Sequence, residues 1–294
     1  MNPIPFAKGH GLGNDYIVMS RQDLPFDLSE ASIVRICDRN WGIGSDGILM
    51  RVATTRADFG LRIFNPDGSE AEKSGNGLRI FAKYLWDHGD ARGRTTFRVD
   101  TKGGIVECTC HVRDGRMSFV TVEMGAASFR ASAIPMTGPD REAVAVPLEL
   151  PDGGKVTATV VSVGNPHCVV FVDRLDEAQT RRLGPLLERH PAFPQRTNVQ
   201  FARPAAPDTL DILIWERGAG YTLASGSSSC GAASAAVKNG FCEHGRVTVR
   251  MPGGDLTIDV RPDWSLKLEG PVEEVYSGAL TAEFAEAWLT PATP

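Results

Sequence analysis

The sequence predicts an α/β (α+β) protein made of two domains that share one plan. Residues 74–77, Ser-Gly-Asn-Gly, and residues 225–228, Ser-Gly-Ser-Ser, stand 151 positions apart. Each segment opens a proline-free run in which apolar residues recur at helical spacing. Short strand-like segments separated by turns surround both runs. The chain is therefore interpreted as an internal duplication, in which each half places strands around one central apolar helix.

The pattern of the first half predicts strands, one outer helix and then the central helix. In order, these are strands within residues 6–19 with a break at 10–15, a helix over 28–39, a turn-rich loop at 41–47, a strand ending at 64–65, and strands across 96–121 with a hairpin turn at 113–116. Ser29 is the expected N-cap of the outer helix, because a serine hydroxyl can accept from the free amides of a first helical turn.

The second half repeats this arrangement after a segment rich in proline and alanine. The predicted elements are a strand over 156–163, a turn at 164–167, a strand over 168–172, a helix over 177–190, strands near 198–201 and 210–215, the second central helix, and strands at 247–251, 256–260 and 266–268. Because the proline-rich segment covers 126–152, a domain boundary is placed near residue 123. The predicted domains are residues 1–122 with a C-terminal return over 275–294, and residues 123–274.

Composition and charge exclude several classes of protein. The 294 residues leave room for two domains, and 42% hydrophobic with 23% charged residues is ordinary for a globular chain. The net charge of −5, with no stripe of lysine and arginine, gives no basis for nucleic-acid binding. No apolar run approaches the roughly 18 residues of a membrane span, and the first residues do not resemble a leader. A cytoplasmic protein without a membrane partner is expected.

The six cysteines are expected to be reduced and mostly buried. None forms a Cys-x-x-Cys pair, and Cys108 and Cys110 fall on the same face of a predicted strand. A zinc site would need more soft ligands at matching spacing than His111 supplies. No metal site is predicted.

The start of each central helix is a candidate site for an anion. A small polar residue followed by glycine frees backbone N–H groups to meet a negative charge, and the helix dipole adds to the attraction. This pattern predicts that one carboxylate is held from both sides, with Ser74 and Ser225 facing each other across the carbon that bears it.

Five short motifs lie in order along the chain. They are His-Gly-Leu-Gly-Asn-Asp at 10–15, Asn-Pro-Asp-Gly-Ser-Glu at 65–70, Ser-Gly-Asn-Gly at 74–77, Gly-Asn-Pro-His at 164–167 and Glu-Arg-Gly-Ala-Gly at 216–220. Together they resemble the diaminopimelate epimerase family over nearly the whole chain. The resemblance implies two pseudo-symmetric domains, each a curled, mainly antiparallel sheet around a central helix, with the active site in the cleft between them. It also implies that the protein works without pyridoxal phosphate or a metal. The resemblance further implies a homodimer.

The resemblance implies an isomerase that interconverts LL- and meso-diaminopimelate, or a close amino acid analogue, in the pathway to lysine and peptidoglycan precursors. Inverting an α-carbon requires one group to remove a proton from one face and another to deliver a proton to the opposite face. Without a cofactor as electron sink, donors around the carboxylate must stabilise the carbanion. In the family the two proton carriers are cysteines, since a thiol can act as acid or base near neutral pH.

This chain departs from the family at both proton-transfer positions, which hold Ser74 and Ser225. A serine hydroxyl gives up its proton less readily than a thiol and needs a partner base. The candidate assistants are Lys73, His167, Glu72 and Asp67. Two roles stay open for His167, namely proton transfer and the orientation of a neighbour.

Substrate-binding residues of the family are present. By resemblance, the distal groups of the substrate are held by Asn14, Asn65, Asn165, Asn198, Glu216 and Arg217, and the α-carboxylate by the backbone of Gly75, Asn76, Gly226 and Ser227. An arginine fork binds a carboxylate, whereas a glutamate and asparagine carbonyls can accept from an ammonium group. Glu216 is also a candidate catalytic residue.

Three explanations of the serines remain open. The first is an epimerase with both cysteines deliberately replaced, against which stand Lys73, Tyr221 in place of the usual glutamate, and Ser228 in place of the usual glycine. The second is a natural branch whose serines are activated by local bases. The third is a catalytically silent ligand-binding relative, or an isomerase of a more acidic carboxylic acid. Retention of the distal binding residues favours diaminopimelate or a close analogue.

Overall fold

The computed structural model describes residues 3–91, 93–151, 153–289 and 291. Its α-helices are α1 (Glu30–Cys37), α2 (Gly75–Asp87), α3 (Glu177–Glu188), α4 (Gly226–Lys238) and α5 (Ala282–Trp288). Its strands are β1 (Ile4–Gly11), β2 (Asn14–Ser20), β3 (Ile48–Val52), β4 (Phe59–Phe64), β5 (Glu70–Ala71), β6 (Thr96–Thr101), β7 (Gly104–Arg113), β8 (Arg116–Ala126), β9 (Val146–Glu149), β10 (Lys155–Ser162), β11 (Pro166–Phe171), β12 (Asn198–Ala206), β13 (Thr209–Glu216), β14 (Gly220–Thr222), β15 (Gly245–Met251), β16 (Gly254–Val260), β17 (Ser265–Pro271) and β18 (Glu273–Leu280).

The chain divides into two compact units. The first comprises Met1–Val122 and Gly270–Pro294, and the second comprises Glu123–Glu269. The C-terminal return thus begins at residue 270, whereas the sequence analysis places it at 275. Residue 270 lies within β17, whose alternating burial gives no sequence signal for a boundary, and residue 275 lies within β18.

In the first unit the strands follow the order β18, β1, β2, β3, β4, β6, β7, β8. The pairs β2–β3 and β4–β6 are parallel, and the other pairs are antiparallel. The short strand β5 pairs with β4 immediately before α2 begins. A connection that returns a strand in parallel needs a crossover, and α1 and α2 lie in these two crossovers.

The second unit repeats the same topology. Its strands follow the order β9, β10, β11, β12, β13, β15, β16, β17, and the parallel pairs are β11–β12 and β13–β15. The short strand β14 pairs with β13 immediately before α4 begins. Helices α3 and α4 occupy the two crossovers. The predicted duplication of plan therefore extends to the position of every parallel pair.

Each central helix is enclosed by the sheet of its own unit. Helix α2 contacts β1 and β18 at one end of the strand order and β7 near the other end, so the sheet curls around it. Helix α4 contacts strands β10, β11, β12, β13, β15 and β16. Its many alanine and glycine residues let strands approach from all sides, and almost the whole helix is buried. The mainly antiparallel, curled architecture around a central helix is confirmed.

Local predictions agree with the structure where the sequence carries cap or turn chemistry. Ser29 caps α1 and accepts a hydrogen bond from the Ser32 amide. The hairpin turn between β7 and β8 places Asp114 and Gly115 in the left-handed region, with φ of 53° and 72°. Such a turn favours an aspartate followed by a glycine.

Other local predictions were wrong. The sequence analysis assigned no element to the proline-rich segment, but its residues Val146–Glu149 form β9, with alternate residues buried. His167 was assigned to a turn but lies in β11, which begins one residue earlier at Pro166. The sequence analysis also gave no element for β18 or α5, which belong to the first unit.

All six cysteines are buried, and none of them forms a disulfide. Burial raises the pKa of the Cys37 thiol to about 11 and that of Cys168 to about 12, so these thiols stay protonated. Among the described residues, no three or more histidine, cysteine or acidic side chains are grouped so as to hold a metal ion. None of the helices described has the length and apolar character needed to span a membrane.

Candidate active site

Ser74 occupies the N-cap position of α2. Its backbone is extended, with φ −140° and ψ 119°, and its Oγ accepts a hydrogen bond from the Gly77 amide at 3.0 Å. In the first turn, Gly75 and Asn76 carry amides that have no acceptor one turn back in the helix. The Tyr16 hydroxyl lies 3.5 Å from Ser74 Oγ. The predicted arrangement of a capping hydroxyl beside free helix amides is present in this unit.

A chain of amide hydrogen bonds joins Asn14 to this helix start. Asn76 Nδ2 donates to Asn14 Oδ1 at 3.0 Å, and Asn14 Nδ2 donates to Asp46 Oδ2 at 2.9 Å. Asn76 Oδ1 is buried and has no hydrogen-bond partner among the described residues. Both ends of the Asn14 amide are thus engaged, and Asn76 Oδ1 is left as an acceptor.

Asp46 is in turn held by a cluster of charges. Arg39 donates to Asp46 Oδ1 at 2.9 Å and to Asp15 Oδ1 at 2.7 Å, and Lys8 Nζ lies 2.9 Å from Asp15 Oδ2. Burial alone would raise the pKa of Asp15, but hydrogen bonds and charge from Arg39 and Lys8 lower it to about 2. Asp15 therefore stays ionised at neutral pH, and through Arg39 the cluster fixes Asp46, which holds Asn14.

The motif at residues 65–70 is a turn closed by its own side chains. Asn65 Nδ2 donates to Ser69 Oγ at 2.9 Å, and the Ser69 amide and hydroxyl both donate to Asp67 Oδ1. These bonds lower the pKa of Asp67, which is exposed. Asp67, proposed from the sequence as an assistant base, thus accepts bonds that hold its own turn together.

The other two residues considered as partner bases in this unit lie between β5 and α2. Glu72 is exposed, and its backbone oxygen accepts from Gly103. Lys73 is half-buried, and its charge acts on the buried Cys108 thiol of β7.

Ser225 occupies the matching N-cap position of α4. Its backbone is extended, with φ −150° and ψ 126°, and its Oγ accepts from the Ser228 amide at 3.4 Å. The Ser229 hydroxyl donates to the Ser225 backbone oxygen at 2.8 Å. Gly226 is buried and Ser227 half-buried in the first turn. The two serines thus have the same local geometry in two separate units.

His167 is fully buried, and both of its ring nitrogens have partners. Nε2 lies 2.9 Å from Asn165 Oδ1, and Nδ1 lies 3.1 Å from Gln200 Nε2. Burial lowers the pKa of His167 to about 3, so the ring is neutral at physiological pH. Of the two roles left open by the sequence, these contacts favour orientation of a neighbour.

Asn198 joins two of the matched motifs. Its Nδ2 donates to the Pro166 backbone oxygen at 2.9 Å, and its Oδ1 accepts from the Arg217 amide at 3.0 Å. The buried Glu188 accepts from the Gly218 amide at 3.2 Å, and so supports the same turn. The Arg217 side chain is exposed, donates to the Gln195 backbone oxygen at 3.1 Å and follows the half-buried Glu216.

The two further departures from the family pattern have structural partners. Tyr221 stacks beneath the Arg181 guanidinium, which lies 4.2 Å from the ring centre. The Ser228 hydroxyl accepts from Gln200 Nε2 at 3.0 Å. Both residues therefore make contacts that belong to this chain's own packing.

Several positions of this neighbourhood were missed by sequence reasoning. They are Tyr16, Asp46, Glu188 and Gln200. Tyr16 and Asp46 each follow a glycine-rich motif closely, which is the one signal that could have drawn attention to them. Glu188 and Gln200 lie in a helix and a strand with no motif, and only the fold brings them to the site.

Comparison with known proteins identifies the family. The sequence profile described as diaminopimelate epimerase matches residues 6–130 and 159–275. The chain belongs to the diaminopimelate epimerase family. Among its curated relatives is diaminopimelate epimerase 2 of Nostoc sp., 50% identical over 279 residues that cover 95% of this chain and 96% of the relative. The diaminopimelate epimerase of Pelotomaculum thermopropionicum is 43% identical over 276 residues, which cover 93% of this chain and 97% of that relative.

Solved structures place this diaminopimelate epimerase family member in a wider fold group. A probable proline racemase of Agrobacterium radiobacter aligns with a TM-score of 0.70 at 16% identity, covering 96% of this chain and 94% of that one. A methylitaconate-delta-isomerase aligns with a TM-score of 0.65 at 16% identity, covering 98% of this chain and 99% of that one. At such identities the likeness concerns the fold alone, and it agrees with the curled sheets and central helices described above.

Proposed function

We propose that this protein is a cofactor-independent epimerase that interconverts LL- and meso-diaminopimelate, or a close amino acid analogue, by proton transfer at the α-carbon. The observation that carries the proposal is the pair of equivalent helix starts, capped by Ser74 and Ser225, both within the residues that the family profile matches. The high identity to proteins named diaminopimelate epimerase supports the substrate class.

In this proposal the two serines carry the protons. Each Oγ accepts an amide N–H at the positive end of a helix, a contact that stabilises negative charge on that oxygen. The serine that starts as the alkoxide takes the α-proton from one face, while the hydroxyl of the other serine delivers its proton to the opposite face. The substrate carbon is thereby inverted, and the two serines exchange protonation states.

Backbone amides stabilise the intermediate carbanion. Delocalisation places its negative charge on the α-carboxylate, which the first-turn amides of the two helices bind. These amides belong to Gly75, Asn76, Gly226 and Ser227. Preorganised amides need no reorientation when the charge develops, so they lower the barrier without a cofactor.

The distal end of the substrate sets specificity. Arg217 and Glu216 supply a cation and an anion that match a carboxylate and an ammonium. Asn14, Asn65, Asn165 and Asn198 are the proposed amide contributors, and each of them also holds a neighbouring protein group. A substrate with an amino acid group at each end fits this set.

The experiment is α-hydrogen exchange in heavy water, followed by proton NMR, with LL- and meso-diaminopimelate. Exchange of the α-hydrogen together with interconversion of the isomers is expected. A Ser74→Ala, Ser225→Ala double variant should lose both, while Ser234→Ala, which removes a buried hydroxyl bonded to Cys230 within the same helix, should retain them. Thermal stabilisation by the ligand without exchange would instead indicate a binding protein without turnover.

We further propose that the protein acts as a homodimer in the cytoplasm, as the resemblance implies. Light scattering coupled to size-exclusion chromatography should give a mass near twice the 31.7 kDa of one chain. A monomer mass at micromolar concentration would contradict the dimer.

A further inference from the structure

Gln200 connects two strands and a helix in the core of the second unit. From β12, its Nε2 reaches His167 Nδ1 of β11 at 3.1 Å and Ser228 Oγ of α4 at 3.0 Å. All three side chains are fully buried. Because buried polar groups are costly unless paired, this trio is a constraint on the structure and not an incidental contact.

The direction of these hydrogen bonds follows from the donor inventory. A Gln200 amide nitrogen can only donate, so His167 Nδ1 accepts and the proton of the neutral ring is on Nε2. Nε2 then donates to Asn165 Oδ1 at 2.9 Å.

The reversed arrangement is less favourable. Gln200 Oε1 is buried without a hydrogen-bond partner in the part of the chain described. Exchanging the amide nitrogen and oxygen would put an N–H₂ group with two donors in that place. Two unsatisfied donors cost more than one under-used carbonyl, so the direction given above is the stable one.

The chain of bonds ends at a side chain that reaches the surface. Ser228, Gln200 and His167 are fully buried, whereas Asn165 is half-buried and belongs to the matched motif at 164–167. Its oxygen is occupied by His167, so the end that remains for a ligand is the Nδ2 donor. The sequence analysis considered the asparagine carbonyls as acceptors for an ammonium group, a role that Asn165 cannot take in this orientation.

We propose that Gln200 is a positioning residue which, through His167, presents Asn165 to the substrate as a hydrogen-bond donor for a carboxylate oxygen. This inference rests on the proposed function, because it concerns recognition at the same site. It also assigns His167 a structural role in that recognition. Its Nδ1 accepts a hydrogen bond from Gln200 and its Nε2–H donates one to Asn165, so neither nitrogen is available as a base for Ser225.

The tautomer of His167 is the first test, and it needs no turnover. Nitrogen-15 NMR of histidine-labelled protein should show that His167 is protonated at Nε2 and unprotonated at Nδ1. Gln200→Glu replaces the donor with a carboxylate that accepts, and should move a proton onto Nδ1. Ser234→Ala, the matched loss of a buried hydroxyl in α4, should leave the His167 signals in place. A wild-type ring that carries its proton on Nδ1 alone would overturn the proposal.

The second test introduces a negative charge at position 165 and measures the effect on ligand affinity. Asn165→Asp keeps the oxygen that His167 needs but replaces the donor with an anion, so meso-diaminopimelate should bind more weakly than to Asn165→Ala. If Asn165 accepted from an ammonium, the order would be reversed, and the proposal would fall. Isothermal calorimetry measures both affinities without catalysis.

The Gln200→Met variant separates positioning from catalysis. Loss of one fixed hydrogen bond should raise KM about tenfold, with kcat changed by less than about threefold. An unchanged KM in a folded Gln200→Met protein would contradict the positioning role. If the NMR and binding results hold but no α-hydrogen exchange occurs, the proposed epimerase activity fails alone; if exchange occurs and the binding order is reversed, this inference fails alone.

Discussion

Gly231 of α4 lies directly against the ring of His167. A Cβ atom at Gly231 would stand 2.9 Å from His167 Cγ and 3.0 Å from its Cβ, closer than such atoms approach in proteins. The glycine sits in the middle of a helix, where an alanine would normally be preferred. The close packing of strand and helix at this point therefore outweighs helix propensity, and it places the buried imidazole against the middle of α4.

Gly231→Ala is expected to destabilise the protein by about 1–3 kcal/mol, although alanine favours a helix, because the added methyl must displace His167. Urea unfolding measures the effect. The histidine NMR signals should shift in the same variant, since the ring has to move away from Gln200. Ser234→Ala serves as the control in α4, and an equal or greater stability of Gly231→Ala would contradict the close packing.

The stability of the protein should fall as the pH is lowered from 6.5 toward 5. The pKa of His167 is about 3 in the folded protein against 6.5 for a free histidine. Below pH 6.5 the unfolded chain binds a proton that the folded chain does not, so the free energy of unfolding should fall by about 1.4 kcal/mol per pH unit. In this range the lowered pKa of Asp15 has no effect, since its contribution is lost only below pH 3.8.

Urea unfolding at several pH values tests this slope. His167→Gln should reduce the slope, whereas His111→Gln, which changes an exposed histidine on β7, should not. A pH-independent stability of the wild type between 6.5 and 5 would show that His167 is not buried in its neutral form.

Asp15→Asn should lower the free energy of unfolding by about 3 kcal/mol. The substitution removes the counter-charge of Lys8, whose side chain is 14% exposed, and one partner of Arg39. Breaking a mostly buried ion pair leaves a charge without compensation. Asp27→Asn, which breaks the exposed pair with Arg21, should cost less than about 1 kcal/mol. Similar losses in both variants, measured by urea unfolding, would contradict the prediction.

Restoring cysteine at positions 74 and 225 should increase the rate of α-hydrogen exchange by about 100-fold or more. A thiol near pKa ~8.5 transfers a proton at neutral pH far more readily than a hydroxyl. Each single variant should fall between the wild type and the double variant. Ser234→Cys introduces a thiol into α4 away from the helix start, and should not raise the rate. A slower double variant would mean that the site is adapted to serine.

The sequence predicted the elements whose signals are local. Apolar spacing identified α2 and α4, and cap or turn chemistry identified Ser29 and the β7–β8 hairpin. Strand β9 was missed because four residues with two buried positions give almost no periodic signal. Strand β18 was missed for a different reason, since nearly all of its residues are exposed and its position depends on pairing with β1.

The candidate site likewise contains some features that local sequence predicts and others that only the fold creates. Ser74 and Ser225 were predicted from the pattern at each helix start, and their capping contacts are observed. The contacts of His167 could not be predicted, because Gln200 lies 33 residues away in sequence and pairs with it only across the parallel strands β11 and β12. Side-chain networks that cross strands leave no spacing signal in one sequence.

Asn198 determines how much freedom the turns around it retain. By bonding to Pro166 on one side and to Arg217 on the other, it makes two turns some fifty positions apart in sequence move as one body. The conformational entropy that a ligand would otherwise have to remove from each turn separately is lost once, when the chain folds. Under the proposed function, a ligand would therefore meet two turns that are already fixed to each other, and binding would have to order them less.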